Sequence, residues 1–436
     1  MKNIFLGFFT FYLLFNATAF AQVGWTWTPL DTMPYRISNN AVCEAKVGSD
    51  YFVYSFSGID TTKLQSGISL NSYKYNVQTG NWSTIPSLPD TMGKIAAGAS
   101  FVNDKIYIIG GYYVLPNGTE VSSQDIHVFD PVTDAYLSNG AVIPVAIDDH
   151  VQAVWRDSLI YVITGWSNTG NVPNVQIYNP YLNSWEVGTD TPNDNYFMAF
   201  GASGTILGDT IYYNGGVRGG FNFMEIPFLR KGVIDPNDPT LITWTQEEDN
   251  PGASGYRMAC SHYESRIFWI GGGDAGYNYN GLAYSNGAGV EPLERILQFE
   301  KNWDMWFEGL GSPYGVMDLR GIAQVGPTSW IIAGGMEAGQ VVTNKSFRID
   351  FDPIVGSISE RTLEVKLYPN PVVDILRLEL NNQVQKFVIY NSAGSKVSEG
   401  VMVTGSVDVS KLLSGSYLLL LLDDKGSVLQ KGRFVK

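Results

Sequence analysis

Short apolar runs that end in glycine recur along most of the chain. One of them, KIYIIGGYYV at residues 105–114, is apolar up to a double glycine. This pattern predicts a buried β-strand that ends where a side chain has no room. The segment HVFDPVTDAY at residues 127–136 follows, and it predicts a further strand, a proline-containing turn and an aromatic residue. The chain therefore predicts many short strands joined by turns, in agreement with its 47 glycines and 20 prolines.

The glycine markers recur at a nearly constant period. Successive markers are 53, 54, 51, 56 and 63 residues apart. The markers used for this spacing are Gly58, Gly111, Gly165, Gly216, Gly272 and Gly335. Such a period marks a repeat architecture, and four short strands per repeat are typical of a propeller blade.

Each repeat is predicted to contribute four strands in a fixed order. The first consists of small residues, as at 95–101 and 196–202, which suits an innermost strand where blades converge. The second is the apolar strand before the glycines, and the third ends in turn residues such as Asp130-Pro131. The second strands are predicted at 51–56, 106–109, 159–163, 210–213, 267–270 and 330–333, and the fourth strands at Trp82, Tyr136, Trp185, Trp244 and either Trp303 or Trp306.

The double glycines, the aromatic residue of the third strand and the later tryptophan resemble kelch repeats over roughly residues 24–356. This resemblance implies an all-β fold, and six copies predict a six-bladed kelch β-propeller. The segment at 27–36 also resembles the segment at 82–92, which contains a predicted outermost strand. The N-terminus is therefore predicted to supply the strand that the last repeat lacks. Pairing the two ends would close the ring and remove open sheet edges.

The first 21 residues are predicted to be a signal peptide. Lys2 gives a positive start, residues 4–15 are apolar, and Ala19-Phe20-Ala21 forms a small-x-small cleavage site. A transmembrane anchor is disfavoured because the apolar run is too short to span a bilayer. The predicted organisation is a signal peptide at 1–21, the propeller at 22–356, a linker at 357–363 and a second domain at 364–436.

The C-terminal segment has a different pattern, which predicts a small β-sandwich of immunoglobulin-like type. It contains YPNP at residues 368–371, YNSAG at 390–394, LLSGSY at 412–417 and a basic-aromatic end. In this order the motifs resemble the C-terminal sorting domain of type IX secretion cargo. The resemblance implies transport across a Gram-negative outer membrane by the type IX machinery, followed by release or attachment to the cell surface.

The charge distribution disfavours one class of partner. The chain carries 42 acidic and 28 basic residues, and from Arg361 onward we count ten basic and seven acidic ones. The preceding part is therefore strongly acidic and would repel phosphate backbones, which disfavours nucleic-acid binding. Cys43 and Cys260 are too few for a disulfide framework and are predicted to be buried free thiols. No transmembrane segment is predicted in the mature chain.

Basic residues at the starts of the predicted innermost strands form the candidate binding site. In the predicted topology they share one face with aromatic loops that contain, among others, Phe223 and Tyr284. The candidate ligand-binding residues are Arg36, Lys94, His150, Tyr196, Arg257, Arg320, Tyr112, Trp166 and Tyr277. Cations with aromatic platforms suit an acidic glycan, through ion pairing and ring stacking. The alternative is a structural role, in which the basic residues bond loop carbonyls or neighbouring carboxylates.

Catalysis, metal binding and cofactor binding are not predicted. The chain has only His127, His150 and His262, which do not supply the ligand set of the copper radical oxidases that share the kelch fold. The preferred hypothesis is a secreted or surface-attached module that binds a glycan or a protein without catalysis. The alternative is a carbohydrate-active enzyme that resembles the sialic-acid mutarotases, which are exported six-bladed kelch propellers. Their catalytic residues have no match here.

Overall fold

In a computed structural model, β-strands make up nearly all of the regular secondary structure of the described residues. The structure describes residues 24–220, 223–310, 312–351, 363–378, 384–391, 396–402, 405–422 and 428–436. The predicted signal peptide at 1–21 and nearly all of the predicted linker lie outside these residues. Within them, helix is confined to two short 3₁₀ turns, Gln65–Gly67 and Ala338–Gln340. None of the described helices is long and apolar enough to cross a membrane.

Residues 24–351 form six antiparallel sheets of four strands each, to which short strands are added at some edges. With strands numbered in chain order, sheets one to three are β2 (Ala41–Val47), β3 (Asp50–Ile59), β4 (Ile68–Asn76) and β5 (Asn81–Ile85); β6 (Ile95–Val102), β7 (Lys105–Val114), β9 (Ile126–Asp130) and β10 (Ala135–Tyr136), with β8 (Glu120–Ser122) paired to β7; and β11 (Val151–Trp155), β12 (Leu159–Ile163), β15 (Val175–Asn179) and β16 (Ser184–Val187).

Sheets four to six repeat this order. They are β17 (Ser203–Leu207), β18 (Thr210–Asn214), β19 (Phe228–Asp235) and β20 (Asp238–Asp249); β21 (Ala259–Tyr263), β22 (Arg266–Ile270), β23 (Arg295–Glu300) and β24 (Met305–Leu310); and β26 (Ala323–Gly326), β27 (Ser329–Ala333), β30 (Ser346–Phe351) and β1 (Trp25–Pro29). Short ribbons are formed by β13 (Trp166–Ser167) with β14 (Gly170–Asn171) and by β28 (Met336–Glu337) with β29 (Val341–Val342), while β25 (Arg320–Gly321) pairs with β2.

The six sheets are arranged in a ring around a central channel. The first strand of each sheet contacts the first strand of the next in the order β2, β6, β11, β17, β21 and β25–β26, and the last contacts β2 again. Apolar side chains fill the space between neighbouring sheets, as Tyr161 of β12 and Tyr213 of β18 do. Burying each such side chain stabilises the fold by roughly 1.5–3 kcal/mol.

The N-terminal strand completes the sixth sheet. β1 pairs antiparallel with β30, with Trp25 opposite Phe351 and Pro29 opposite Phe347. The Trp25 ring is buried, 4.7 Å from the ring of Phe351 and 5.0 Å from that of Phe268 in sheet five. One strand therefore joins the two ends of the ring region and also packs against the neighbouring sheet.

Two local expectations are wrong. No strand forms at 196–202, where residues 195–197 make a turn and Phe200 makes an isolated bridge to Val217, and β17 begins at Ser203. The Asp194 side chain accepts hydrogen bonds from the amides of Tyr196 and Phe197 at 2.8 and 3.1 Å, which favours a turn over a strand. The double glycine at 110–111 does not end β7, which continues to Val114. Both glycines have positive φ, and a Cβ on Gly110 would lie 2.4 Å from the carbonyl oxygen of Ile147.

The C-terminal region forms two sheets that share one apolar core. Its strands are β31 (Leu363–Glu364), β38 (Val428–Val435), β37 (Ser416–Leu422), β34 (Lys386–Asn391) and β35 (Lys396–Val401) in one sheet, and β32 (Leu367–Tyr368), β33 (Ile375–Leu378) and β36 (Ser406–Asp408) in the other. Alternation along β37 sends Leu419 and Leu421 into this core. Leu418 and Leu420 point the other way and pack with Met305 of β24.

Candidate functional site

One residue at the entrance to each innermost strand has a left-handed backbone, and we call these six residues the axial ring. Their φ angles lie between +47° and +67°. The axial ring consists of Asn39, Ala96, Asp149, Gly201, Arg257 and Asp318. Asparagine, aspartate and glycine tolerate this conformation, whereas alanine and arginine adopt it only when the surrounding structure holds them there.

Hydrogen bonds join neighbouring members of the axial ring. The Gly201 amide donates to the Asp149 carbonyl at 2.8 Å, and the Arg257 amide donates to the Gly201 carbonyl at 2.8 Å. The amides of Asp149, Leu319 and Asn39 donate to the carbonyls of Ala96, Arg257 and Asp318 at 3.1, 3.0 and 3.2 Å, respectively. The Ala96 amide donates to the Asn39 side-chain oxygen at 2.8 Å. The axial ring thus connects all six sheets at the face where the innermost strands begin.

The Arg257 side chain crosses the axial ring and binds two carboxylates. Its Nε donates to Asp149 Oδ1 at 2.9 Å and its Nη1 donates to Asp318 Oδ1 at 2.9 Å. All three side chains are buried, with exposed fractions of 0% for Arg257, 2% for Asp149 and 0% for Asp318. Arg320 adds a second cation, with Nη1 3.5 Å from Asp149 Oδ1 and Nη2 donating to the His150 carbonyl at 2.9 Å.

The pKa shifts of these groups follow from burial and from their partners. Burial disfavours the charged guanidinium of Arg257, but the Asp149 and Asp318 carboxylates outweigh burial and raise its pKa. Burial raises the pKa of Asp318, although Arg257 and a hydrogen bond from Ser38 act against this. Burial lowers the pKa of Arg320, and Asp149 opposes that effect. Arg257 is thus held as a cation by two carboxylates.

Lys94 is also neutralised within the protein. Its Nζ lies 2.5 Å from Asp90, 2.9 Å from Asp125 and 3.3 Å from His127 Nε2, and it is almost completely buried. Burial raises the pKa of Asp90, but hydrogen bonds from His127 and Lys94 outweigh burial and lower it. The ligand atoms of Asp90, Asp125 and His127 lie within 4.8 Å of one another, a spacing that suits a metal ion. The Lys94 ammonium contacts all three and supplies the positive charge at this point.

The remaining basic candidates and Tyr196 occupy different environments. Arg36 is exposed, and within the part of the chain that the structure describes it forms no ion pair. Tyr196 is 50% exposed and its ring lies 5.4 Å from that of Phe228. His150 is buried, its Nε2 lies 3.0 Å from Gln152 Oε1, and burial lowers its pKa to about 4. The six candidates at the strand starts, which are Arg36, Lys94, His150, Tyr196, Arg257 and Arg320, are each placed differently relative to the axial ring. They therefore do not form a circle of free cations.

Tyr112 and Trp166 line a cavity on this face, which we call the aromatic cavity. Its volume is about 70 Å³. The lining residues are Tyr112, Glu120, Asp148, Asp149, Trp166, Phe200, Phe223 and Tyr284, contributed by sheets two to five and their loops. The Phe223 ring lies 4.8 Å from Tyr284 and 6.0 Å from Trp166, so the aromatic side chains form a continuous wall.

Tyr277 lies behind this wall and does not line the aromatic cavity. It is fully buried, with its ring 4.9 Å from Tyr256 and 5.5 Å from the Arg257 guanidinium. Sequence reasoning missed Glu120 and Phe200 as lining residues and Asp149 as the carboxylate that holds both arginines. The Asp148-Asp149 pair directly before His150 is the available signal, because two adjacent acids at a strand entrance require cationic partners when they are buried.

The central channel contains two further cavities. The one nearer the axial ring has a volume of about 120 Å³ and is lined in part by His150, Gln152 and Arg320. The other has a volume of about 290 Å³ and lies toward the far ends of the innermost strands. Cys43 and Cys260 both line this second cavity as free thiols, Cys43 buried and Cys260 half-buried.

Two family models match parts of the chain. The Kelch motif matches residues 96–136, which cover β6 from its second residue onward and all of β7 to β10. The model described as a secretion system C-terminal sorting domain matches residues 366–433. The latter indicates export by type IX secretion.

Similar proteins agree with these matches. Kelch-like protein 36 of Mus musculus is 25% identical over 169 residues, which are 39% of this chain and 25% of that protein. Kelch-like protein 23 of Homo sapiens is 29% identical over 175 residues, 39% of this chain and 27% of that protein. The matched region spans about a quarter of the length of these relatives.

A solved structure supports the fold. The structure of YjhT has a TM-score of 0.58 with this chain at 15% sequence identity, and the match covers 73% of this chain and 95% of that one. Together with the ring of sheets and the two family models, this similarity identifies the chain as a kelch-repeat β-propeller protein with a C-terminal type IX secretion sorting domain.

Proposed function

We propose that this protein is a secreted or surface-attached binding module that recognises a glycan without catalysis. In this proposal residues 1–21 are a signal peptide, residues 22–356 form a six-bladed propeller closed by β1, and residues 357–363 link it to the sorting domain at 364–436. Six sheets in a ring and the pairing of β1 with β30 support the proposed blade count and closure. The immunoglobulin-like assignment of the C-terminal domain rests on its two sheets around one core.

The aromatic cavity is the single observation that carries the proposed binding role. It lies where loops from four sheets converge, and aromatic rings beside carboxyl groups suit the apolar faces and hydroxyl groups of a sugar. We assign ligand contact to Tyr112 and Trp166, which line it. We assign a positioning role to Arg257 and Arg320, since both hold Asp149 at the cavity floor.

The other candidates lie outside the lining of the aromatic cavity. Lys94 is bound by Asp90 and Asp125, and Tyr277 is buried behind the aromatic wall. We propose that these two residues act through the fold. Arg36, His150 and Tyr196 also do not line this cavity, so an acidic glycan would find no free cation among the described residues that do.

An enzymatic role is the second candidate, and one observation favours it. Burial raises the pKa of Asp148, and desolvation raises the pKa of Glu120. Carboxyl groups with raised pKa values in a cavity are typical of general acids and bases. If the protein interconverts sugar anomers, NMR of a freshly dissolved sugar will show faster equilibration with the parent than with an Asp148→Asn variant. Equal rates with and without protein would exclude this activity for the sugar used.

A glycan array with the purified protein tests the binding role. We expect discrete glycans to bind the parent and to be lost in Trp166→Ala, because the ring forms part of the cavity wall. Trp244→Ala is the matched control, since Trp244 is also half-buried but lies on β20 and does not line the aromatic cavity. Circular dichroism verifies that both variants fold. A parent that binds no glycan, or hits that survive in folded Trp166→Ala, would contradict the proposal.

A further inference from the structure

Two carboxyl groups that line the aromatic cavity form no ion pair with any residue that the structure describes. Asp148 is 4% exposed, and its Oδ2 accepts a hydrogen bond from Ser122 Oγ at 2.5 Å. Glu120 stands at the rim and is exposed. Across the described ranges neither carboxyl group takes part in an ion pair, whereas the adjacent Asp149 is bound by Arg257 and Arg320. The lining of the cavity therefore contains carboxyl groups and no basic side chain.

The Tyr112 hydroxyl is a further polar group at the aromatic cavity. Tyr112 is 3% exposed and lines the cavity, yet its hydroxyl has no hydrogen-bond partner among the described residues. The backbone of Tyr112 lies opposite that of Ser122, the residue whose hydroxyl reaches Asp148. The hydroxyl group of a buried tyrosine ring ordinarily finds a hydrogen-bond partner. The free Tyr112 hydroxyl thus indicates a place for a ligand atom.

The aromatic wall suits a cation as well as a sugar ring. Trp166, Phe200, Phe223 and Tyr284 surround the carboxyl groups, and their rings lie within 6.0 Å of one another along the wall. The π face of an aromatic ring attracts a cation, and the attraction grows when water is excluded. A volume of about 70 Å³ accepts a small group of a few heavy atoms, not a whole oligosaccharide.

We propose that the aromatic cavity binds the ammonium group of an unacetylated amino sugar, with Glu120 and Asp148 as its anionic partners and Tyr112 as a hydrogen-bond acceptor. This inference rests on the proposed glycan-binding function and specifies the chemistry of the ligand. Burial and nearby carboxylates raise the pKa of Asp148, and a bound ammonium group would draw this carboxyl back to its ionised form. The net charge of −14 also favours the approach of a cationic glycan.

Isothermal titration calorimetry with a matched pair of oligosaccharides tests this inference. A glucosamine tetramer and an N-acetylglucosamine tetramer share the same backbone and differ in the charged amine, so both are titrated in mildly acidic buffer. We expect the parent to bind the glucosamine tetramer about tenfold more tightly, which corresponds to one ion pair and one cation–π contact. Equal affinity for the two tetramers, or no binding of the glucosamine tetramer, would overturn the inference.

Two conservative variants test the assigned residues. Glu120→Gln should weaken binding of the glucosamine tetramer roughly two- to fivefold, the range of an exposed ion pair, without changing that of the acetylated tetramer. Tyr112→Phe should weaken it roughly threefold to tenfold while the fold stays intact, because the lost hydroxyl has no partner among the described residues. Glu186→Gln, an equal charge change at an exposed position on β16, is the control and should have no effect.

The outcomes distinguish this inference from the proposed function. If the array yields glycans that require Trp166 but the two tetramers bind equally, the ammonium inference fails and glycan binding stands. If a lysine pentapeptide binds more tightly than the glucosamine tetramer, the recognised ammonium belongs to a peptide and the inference also fails. An unchanged affinity in folded Glu120→Gln and Tyr112→Phe would reject the assigned contacts.

Discussion

Replacing Arg257 by methionine should destabilise the propeller by about 3–5 kcal/mol, the usual cost of breaking a buried ion pair. The variant removes hydrogen bonds to Asp149 and Asp318 but keeps an unbranched side chain of similar length. Among the side chains that the structure describes, Asp149 then keeps Arg320 at 3.5 Å and Asp318 keeps the Ser38 hydroxyl. Two carboxylates would then remain buried with too little positive charge, which is the main source of the loss.

Urea unfolding followed by tryptophan fluorescence measures this change. All 11 tryptophans lie between Trp25 and Trp330, so the signal reports the propeller and not the sorting domain. Arg36→Met is the matched control, because Arg36 is exposed, and it should change the free energy of unfolding by no more than about 0.5 kcal/mol. A loss below about 1 kcal/mol in Arg257→Met with an unchanged denaturant slope would refute the reasoning.

The pH dependence of this variant provides a further check. Without Arg257, which opposes the effect of burial, the pKa of Asp318 in the folded state should rise further above the value of about 3.9 that an aspartate has when unfolded. The folded state of the variant then binds protons that its unfolded state does not. The difference in unfolding free energy between the parent and the variant should therefore shrink as the pH falls toward about 5. Adding Asp318→Asn to Arg257→Met should recover part of the loss, because it removes one orphaned charge.

Three further variants test other parts of the fold. His150 has a folded pKa of about 4, below its unfolded value of about 6.5, so it takes up a proton more readily in the unfolded state. Between about pH 7 and pH 5, the free energy of unfolding in the same urea assay should therefore fall by about 2 kcal/mol more in the parent than in His150→Gln. Gly201→Ala would place a Cβ 2.0 Å from the Tyr256 ring, whereas a Cβ in the control Gly208→Ala meets nothing within 4 Å at a similar φ. Calorimetric melting should show that Gly201→Ala lowers the free energy of unfolding by about 1–3 kcal/mol more than Gly208→Ala does. Equal melting temperatures of the two variants would contradict the packing argument. Trp25→Ala should lower the free energy of unfolding, measured in urea, by about 3–5 kcal/mol if β1 closes the ring. An unchanged free energy of unfolding would show that the N-terminal strand contributes little to stability.

The repeat pattern was sufficient to predict most of the strands. The run predicted at 159–163 has the same first and last residues as β12. The runs before the other glycine markers lie within the observed second strands. Local chemistry determines these elements, because apolar strands and glycine turns are defined by neighbouring residues. The strand was wrongly predicted at 196–202 because the Asp194 side chain binds the backbone amides of Tyr196 and Phe197, and a pattern of small residues does not reveal this.

The candidate site was less predictable because its contacts join residues that are far apart in sequence. Arg257 meets Asp149 across 108 residues and Asp318 across 61, and no local pattern indicates which acid pairs with which base. The members of the axial ring share a φ angle and not a residue type, so Ala96 and Arg257 give no signal for it. Aromatic loop residues such as Trp166 were predictable as a group, but the cavity that they form with Glu120 depends on how four sheets converge.

A crystal structure of the protein with a bound glycan from the array tests the central proposal most directly. The proposal predicts a sugar against Trp166 and Tyr284 in the aromatic cavity, with its amino group within hydrogen-bond distance of Asp148 or Glu120. A sugar bound at the opposite end of the channel, or on the outer strands, with the aromatic cavity left unchanged would contradict it.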